Sequence, residues 1–296
     1  MLHTYHCTRP SQDIAVAPRG SVSPLITLDG VSKCFQSIVA LSNISVTISP
    51  GQFVAIIGRS GAGKTTLLHC LSRGTVVTAG SVRFGACDLA TLQGEVLRQH
   101  RARVGMIYQQ FNLVKRLRVL DNVLIGRLPH LGRMSWWFAL GRLFTPDDQQ
   151  VALRCLDHVG LLDRAWQRTA TLSGGEQQRV AIAKVLAQEP HVILADEPVA
   201  SLDLMNSTLV MDTLRRIVSE TGLTVIATLH HVEYARRYAD RILGLRAGEL
   251  VFDGPPSALT HTVLHSLFGA SLPLYALPES AVTHESAWSK SWVEPL

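Results

Sequence analysis

One segment of the sequence has the spacing of a phosphate-binding loop. Residues 58–65 match G-x-x-x-x-G-K-[ST] at every fixed position and directly follow the apolar run at residues 53–57. The three glycines allow backbone N–H groups to curl around phosphate, and the next helix adds partial positive charge at its N-terminus. Lys64 can reach terminal phosphates and Thr65 can place its hydroxyl on Mg²⁺. A ligand-free turn would leave both residues unexplained, so the segment predicts a nucleotide site.

Two carboxylates follow a second apolar run. Residues 191–195 lead directly into Asp196 and Glu197, and α/β sheets present ligand-binding groups at such strand ends. Asp196 can hold Mg²⁺ through water, and Glu197 could polarise an attacking water as a general base. Acids at strand ends also serve as helix caps, so the pair is informative mainly because the glycine loop is present. Together the two segments predict phosphoryl-transfer chemistry.

A third segment, residues 172–179, opens a predicted helix. Ser173 and Glu176 satisfy S-x-x-E, which is an ordinary capping box. The cap does not explain Gly174 and Gly175, because glycine lowers helix stability and is useful mainly where another group approaches the backbone closely. A phosphate at this helix N-terminus would be such a group.

The elements that must position these residues alternate between strands and helices. Short apolar runs over residues 26–48 predict antiparallel strands. Continuous apolar runs at 53–57, 192–195 and 224–229 predict buried strands, and a helix is expected over residues 205–220. Strand, helix and strand in this order indicate a parallel sheet with crossover connections.

Between about residues 91 and 187 the pattern becomes helical. Helices are expected at 92–101, 147–159 and 176–187, which together predict a helical subdomain. Further along, residues 242–253 predict a hairpin. Residues 1–24 lack any period and are interpreted as a loosely ordered leader, and residues 268–296 form a tail without a clear pattern.

Composition limits the class of protein. The 296 residues are 47% hydrophobic, enough for one large domain or two small ones. The five cysteines are widely spaced without a C-x-x-C pair, which argues against disulfides or zinc and favours a reducing compartment. The net charge of +5 is read as a scattered surface excess. Neither a signal peptide nor a membrane span is evident, so any membrane role requires a partner.

Residues 172–177 resemble the signature motif of ABC ATPases. The segment stands between residues 58–65 and 192–197, as the signature stands between Walker A and Walker B in that family, and Lys64 and Ser173 are 109 positions apart (173 − 64). The resemblance covers residues 25–267. It implies an α/β P-loop NTPase with a RecA-like parallel-sheet core, an antiparallel β subdomain and a helical subdomain. It also implies ATP and Mg²⁺ as cofactors and a dimer in which each signature closes over the other copy's ATP.

Further roles follow from the resemblance. Gln109 resembles the Q-loop glutamine that contacts Mg²⁺ and senses the membrane partner, Asp203 lies in the D-loop, and His230 resembles the switch histidine, with His231 as the alternative. Phe35 stands where an aromatic ring usually stacks on adenine, although phenylalanine more often packs in a core. Adjacent histidines point apart, so a metal site at 230–233 is not expected.

The expected site residues fall into four groups. The nucleotide contacts are Phe35, Gly58, Arg59, Ser60, Gly61, Ala62, Gly63, Lys64, Thr65, Thr66 and Gln109. The magnesium ligands are Thr65, Gln109 and Asp196, and the catalytic pair is Glu197 and His230. The contacts to ATP across the dimer are Ser173, Gly174, Gly175 and Gln177.

Within ABC ATPases the chain is most similar to the ATP-binding subunits of phosphonate importers. The residues that carry this likeness are 109–114, 125–128, Trp136, 140–144, 197–203 and 238–248. The likeness implies a second copy, two transmembrane permease subunits and an indirectly acting substrate-binding protein as partners, no nucleic acid, and a place on the cytoplasmic face of the inner membrane. The segment 136–144 is either a partner contact or a helix packed in its own subdomain.

Several alternatives remain open at this stage. Importers of phosphite, phosphate esters or another oxyanion would use a nearly identical motor, because this subunit need not touch the transported molecule. A DNA-repair or chromosome ATPase would insert a long coiled coil before the signature, and a ribosome-acting factor would carry two cassettes. A plain P-loop kinase would lack the loop at residues 173–175. This sequence has no heptad repeat before the signature, has a single Walker A motif, and contains the loop at residues 173–175, so it differs from all three of these classes.

Overall fold

The computed structural model describes residues 25–130 and 144–269. The strands are β1 (Ile26–Phe35), β2 (Ile38–Ile48), β3 (Phe53–Ile57), β4 (Ala79–Phe84), β5 (Cys87–Asp88), β6 (Val104–Ile107), β7 (Val192–Asp196), β8 (Thr224–Leu229), β9 (Arg241–Arg246) and β10 (Glu249–Gly254). The α-helices are α1 (Lys64–Leu71), α2 (Gly94–Arg103), α3 (Val119–Leu124), α4 (Pro146–His158), α5 (Gly174–Leu186), α6 (Leu204–Thr221), α7 (Val232–Tyr238) and α8 (His261–Phe268). The predicted leader, most of segment 136–144 and nearly all of the tail lie outside these ranges.

The strands form two sheets. A four-stranded sheet has the order β2-β1-β4-β5 and is antiparallel. A six-stranded sheet has the order β10-β9-β3-β8-β7-β6, and every neighbouring pair in it is parallel except β9 with β10. The predicted α/β class, the parallel core and the antiparallel subdomain are therefore confirmed.

Strand β3 shows why the parallel strands read as continuous apolar runs. Phe53, Ala55 and Ile57 pack on the core that includes helices α3 to α7, whereas Val54 and Ile56 pack on the core shared with the antiparallel sheet and α1. Both faces of the strand are thus covered, so polar alternation would bury unpaired polar groups. The carboxyl ends of β3, β7 and β8 consequently meet at one sheet edge.

The region predicted to be helical contains α2 to α5 and also one strand. Strand β6 pairs with β7 in the large sheet, at Val104 opposite Val192. Buried Arg127 ties the helices together: its guanidinium binds Asp148 Oδ1 on α4 at 2.9 Å and the Ala187 carbonyl at the end of α5 at 3.0 Å. Burial raises the pKa of Asp148, but its hydrogen bonds from Arg127 and Thr145 hold that pKa below the usual value.

Two further findings bear on class and compartment. In the described ranges no helix combines the length and apolar character needed to cross a membrane. The cysteines within those ranges, Cys34, Cys70, Cys87 and Cys155, are free thiols.

Candidate functional site

The glycine loop fits tightly between the two sheets. A Cβ atom at Gly58 would lie 2.2 Å from the Leu245 carbonyl oxygen, and one at Gly63 would lie 2.5 Å from the Ala40 carbonyl oxygen. Gly61 has a φ of +79° and open space around it. The helix that follows, α1, begins without a side-chain cap and without an acid in its first turn. Its first N–H groups therefore have no side-chain partner, which suits an anion.

Lys64 is folded back onto this loop. Its Nζ donates to the carbonyl oxygens of Gly58 at 2.9 Å and Arg59 at 3.1 Å, and the residue is only 5% exposed. Burial lowers the pKa of the Lys64 ammonium, while the negative charges of Glu197 and Asp196 act in the opposite direction. The cation is thus held beside both carboxylates at the sheet edge.

Thr65 and Asp196 meet across the sheet edge as expected. The Thr65 hydroxyl donates to Asp196 Oδ1 at 3.0 Å, and the Thr228 hydroxyl on β8 donates to the same oxygen at 2.8 Å. Hydroxyl and carboxylate oxygens are the donors that Mg²⁺ prefers, and this ion is usually held by one or two protein groups together with substrate phosphates. The pair therefore fits a magnesium ion bound with a nucleotide.

Glu197 and His230 form a hydrogen-bonded pair at the same edge. His230 Nε2 contacts Glu197 Oε1, and both side chains line a cavity of about 250 Å³. Glu197 has a φ of 49°, a strained conformation for a residue other than glycine. His231, the alternative switch residue, is exposed and packs edge-on against Tyr234. The geometry therefore favours His230 for the switch role.

Sequence reasoning missed Thr228. This fully buried residue lies opposite Asp196 in the β7–β8 pairing, and its hydroxyl also accepts the Glu197 N–H at 2.8 Å. The available signal was a hydroxyl between the apolar residues Ala227 and Leu229, two residues before His230. Its use required knowing that β7 and β8 are neighbours.

The signature segment caps its own helix. The Ser173 hydroxyl accepts the Glu176 N–H at 3.3 Å, and Glu176 Oε2 accepts the Ser173 N–H at 2.8 Å. The backbone approach expected at the glycine pair occurs at Gly175, where Asn206 of α6 packs so closely that a Cβ would lie 2.2 Å from Asn206 Oδ1. Gly174 beside it is exposed. Another protein segment therefore accounts for Gly175, and only Gly174 presents open backbone.

The D-loop residue and Gln177 also make local contacts. Asp203 Oδ1 accepts the Asn206 N–H at 2.8 Å and caps α6, and this bond is the first cause of the lowered pKa of Asp203. Gln177 Nε2 donates to the Leu172 carbonyl at 2.9 Å. The signature and D-loop segments lie side by side, because Gly174 and Gly175 are next to Leu202 and Asn206.

Two predicted nucleotide contacts, Gln109 and Phe35, have exposed side chains. Gln109 is exposed on a groove of about 410 Å³ that Gln177 also lines, and its side chain makes no hydrogen bond within the described ranges. Phe35 is 46% exposed, so it is not a core residue, and Lys33 Nζ lies 4.7 Å from its ring centroid. The single-chain geometry leaves both residues accessible.

A comparison with family models decides the class of protein. Residues 41–200, more than half of the chain, match the model described as ABC transporter. The chain belongs to the ABC transporter family. The predicted membership of the ABC ATPases is thereby confirmed.

Curated relatives and solved structures extend this ABC assignment. The phosphonates import ATP-binding protein PhnC of Bradyrhizobium diazoefficiens is 47% identical over 82% of this chain and 90% of its own length. The protein of the same name from Rhizobium johnstonii is 44% identical over 92% of this chain and 96% of its own. A dimeric bacterial ABC transporter cassette is 34% identical with a TM-score of 0.66, covering 78% of this chain and 98% of that one. A cassette dimer in a post-hydrolysis state bound to ADP and Pi is 33% identical with the same coverages and a TM-score of 0.66.

Proposed function

We propose that this ABC ATPase is the ATP-hydrolysing subunit of a phosphonate importer and works at the cytoplasmic face of the inner membrane. The observation that carries the proposal is the identity of 44–47% to phosphonate import ATP-binding proteins across 90–96% of their lengths. The cluster of Lys64, Thr65, Asp196, Glu197 and His230 supports a working ATPase rather than a degenerate one.

Nucleotide binding exchanges contacts at the glycine loop. Lys64 leaves the carbonyls of Gly58 and Arg59 and binds the terminal phosphates, whose charge offsets the burial that lowers the pKa of the ammonium. The N–H groups of the loop and of α1 hold the remaining phosphate oxygens. Phe35 stacks on the adenine through its exposed ring face.

Thr65 and Asp196 would hold a magnesium ion, with Gln109 completing the set. When bound, such an ion would supply positive charge against the charge that develops on the β- and γ-phosphates. The Thr65 oxygen would bind the ion through a lone pair while its O–H still donates to Asp196 Oδ1. Thr228 donates to the same carboxylate oxygen and helps to fix its orientation.

Glu197 and His230 carry the hydrolytic step. Glu197 orients the attacking water and accepts its proton, and such general-base assistance is worth about 10²- to 10⁴-fold in rate. His230 fixes the Glu197 carboxylate through their hydrogen bond and contacts the γ-phosphate. The strained backbone at Glu197 holds the carboxylate just beyond the strand end.

A second copy of the chain completes each site. The exposed Ser173 hydroxyl and the Gly174 backbone approach the γ-phosphate held by the other copy, with Gln177 and Asp203 beside them. The two dimeric cassettes of 33–34% identity support this arrangement. ATP therefore closes the dimer, and hydrolysis allows it to reopen.

Two permease subunits receive the motion. We place their contact at the grooves between the large sheet and the helical region, one around Gln109 and one of about 550 Å³ lined by Tyr108, Phe111 and Lys184. Opening and closing of the dimer would move these grooves and drive alternating access. A substrate-binding protein outside the membrane selects the solute, and nucleic acid plays no part.

The substrate class is tested with the assembled transporter. The chain is reconstituted with the permease and binding protein encoded beside it, and ATP hydrolysis is measured with phosphonates, phosphite, phosphate esters, phosphate and an unrelated solute. Stimulation by phosphonates is the expected result. Stimulation only by another oxyanion would keep the motor and discard the phosphonate assignment, and an unchanged rate with every solute would contradict the importer proposal.

The role of Glu197 is tested on the chain alone. Glu197→Gln is expected to bind ATP, to lose at least about 100-fold of the hydrolysis rate and to accumulate as an ATP-bound dimer. Light scattering with and without ATP measures the dimer, and Glu220→Gln at an exposed position serves as the matched control. A Glu197→Gln variant that stays monomeric with ATP and hydrolyses it normally would remove Glu197 from this role.

A further inference from the structure

Thr228 contacts both acidic residues of the site through one hydroxyl group. Its Oγ1–H donates to Asp196 Oδ1 at 2.8 Å, and its Oγ1 accepts the backbone N–H of Glu197 at 2.8 Å. The residue is fully buried, so water does not compete for these bonds. A single side chain on β8 is therefore linked to two consecutive residues at the end of β7.

We propose that Thr228 is a positioning residue that sets the metal-holding carboxylate of Asp196 and the base Glu197 relative to each other. The inference rests on the proposed function, because it concerns the same hydrolytic site. In this proposal the neutral side chain of Thr228 fixes the relative positions of Asp196 and Glu197.

The Glu197 backbone requires such a support. With a φ of 49° the residue lies in the left-handed region, which a non-glycine residue adopts only where the surroundings fix it. The hydrogen bond from the Glu197 N–H to Thr228 directly follows the last parallel pair of these strands, Asp196 opposite Thr228. Thr228 thus stabilises the turn that separates the directions of the two carboxylates.

The Asp196 carboxylate is held by hydroxyl groups from two different elements. In the described conformation two hydroxyls share its Oδ1, from Thr65 and from Thr228. Thr65 is the residue whose oxygen would also bind the metal ion, whereas the buried Thr228 hydroxyl bonds only to Asp196 and the Glu197 N–H in the described structure. Thr228 therefore keeps Asp196 oriented with or without the nucleotide, so the site does not have to rebuild the carboxylate's position in each cycle.

The test compares three variants of the full-length chain. Thr228→Val keeps the side-chain shape without the hydroxyl, and Thr228→Ser keeps the hydroxyl. Thr224→Val is the matched control, because Thr224 is another buried threonine of β8 whose Oγ1 accepts a backbone N–H, that of Gly51 at 2.9 Å, at the opposite strand end. Nucleotide affinity with and without Mg²⁺ is measured by calorimetry, together with kcat, KM and thermal unfolding.

Thr228→Val is expected to lower kcat by about 10- to 100-fold, the effect of losing a hydrogen bond to a charged group at the reacting centre. The gain in nucleotide affinity that Mg²⁺ provides should shrink, while affinity without Mg²⁺ stays within about twofold, because Lys64 and the loop are unchanged. Thr228→Ser and Thr224→Val should keep both properties near the wild-type values.

Two results would overturn the inference. One is a Thr228→Val chain with the kcat and the Mg²⁺-dependent affinity of Thr224→Val. The other is a Thr228→Ser chain as impaired as Thr228→Val, which would assign the effect to packing of the methyl group. If Thr228→Val does not fold, Thr228→Ala is compared with Thr224→Ala on the same readouts. A wild-type chain that binds Mg-ATP without hydrolysing it would contradict the proposed function, and the affinity measurement alone would then decide on Thr228.

Discussion

Two helix N-termini of this protein have sequences that predict phosphate binding, and their capping differs. Helix α1 follows a glycine loop, has no side-chain cap and has no acid in its first turn. Helix α5 is closed by the reciprocal bonds of Ser173 and Glu176. One N-terminus keeps its N–H groups for a ligand, whereas the other satisfies part of its own.

The difference indicates an order of binding. An uncapped helix end with a lysine beside it attracts phosphate by itself, while a capped end with an acid in its first turn has less to offer an anion. The signature helix is therefore suited to a phosphate that α1 and Lys64 of the other copy already hold. In the proposed dimer, α1 and Lys64 would therefore bind the phosphate first, and the signature helix of the second copy would contact it afterwards.

The strongest way to break the comparison is to remove the cation beside α1. Lys64→Met is expected to weaken ATP affinity by about 10- to 100-fold, since charged hydrogen bonds to phosphate are lost. Thermal stability should not fall, because a buried ammonium is replaced by an apolar chain. Calorimetric titration measures the affinity, with exposed Arg83→Met as the control. Unchanged affinity in Lys64→Met would contradict the assigned role of α1.

The next prediction separates the two glycines of the signature. Gly175→Ala is expected to cost about 1–3 kcal/mol of unfolding free energy, because its Cβ collides with Asn206. The Cβ of Gly174→Ala would make ordinary contacts with Leu202 at 3.5 Å and Phe111 at 3.9 Å, so the stability should be kept or raised while ATP-driven dimerisation falls. Urea unfolding and light scattering measure the two effects. Equal stability losses in both variants would show that the Asn206 contact does not explain Gly175.

Removing the N-cap of helix α5 should have a smaller effect on stability. Ser173→Ala should cost about 1 kcal/mol of stability, the usual value of an N-cap. Thr260→Ala, which removes the cap of α8, is the matched control with a similar cost. Only the Ser173 variant should also lose ATP hydrolysis. A normal hydrolysis rate in Ser173→Ala would confine that residue to capping.

The smallest effect concerns acid stability. The Ser173 N–H is the largest cause that holds the pKa of Glu176 below its usual value of 4.5. Ionised Glu176 therefore stabilises the folded state above the unfolded pKa, and this stabilisation is lost as the pH falls through the folded pKa. The stability difference between wild type and Glu176→Gln, measured by urea unfolding, should shrink from about pH 7 to about pH 3. Glu220→Gln is the control, and a pH-independent difference for Glu176→Gln would refute the account.

The local pattern of glycines and apolar residues predicted most of the fold and the glycine loop of the site. The loop at residues 58–65 and strand Thr224–Leu229 stand where the sequence placed them, because a glycine loop and a two-sided apolar strand require a particular local composition. Strands β4 and β5 were missed, since Ala79–Phe84 is half exposed and short. Strand β6 was absorbed into a helical range, because its four residues show no period.

The unpredicted features of the site depend on which segments become neighbours. The hydrogen bonds of Thr228 to Asp196 and Glu197 require β7 and β8 to pair in one register. The close packing at Gly175 requires contact with Asn206 on α6, which lies 31 positions further along the chain (206 − 175). Neither the β7–β8 pairing nor the contact between Gly175 and Asn206 can be predicted from the local sequence. The resemblance supplied roles for Gln109, His230 and Asp203, but contacts such as the Asp203 cap became visible only in three dimensions.

Substitutions at different glycines of residues 58–65 should have different effects on protein level and on transport. Gly58 and Gly63 press against backbone oxygens of Leu245 and Ala40, so the loop joins the two sheets as well as facing the nucleotide, whereas Gly61 has free space around it. A screen for inactive alleles should therefore recover Gly58 and Gly63 substitutions among strains with little protein, and Gly61 substitutions, which cost only backbone strain, among strains with more protein. A substitution at Gly58 or Gly63 should therefore reduce both the amount of folded protein and nucleotide binding.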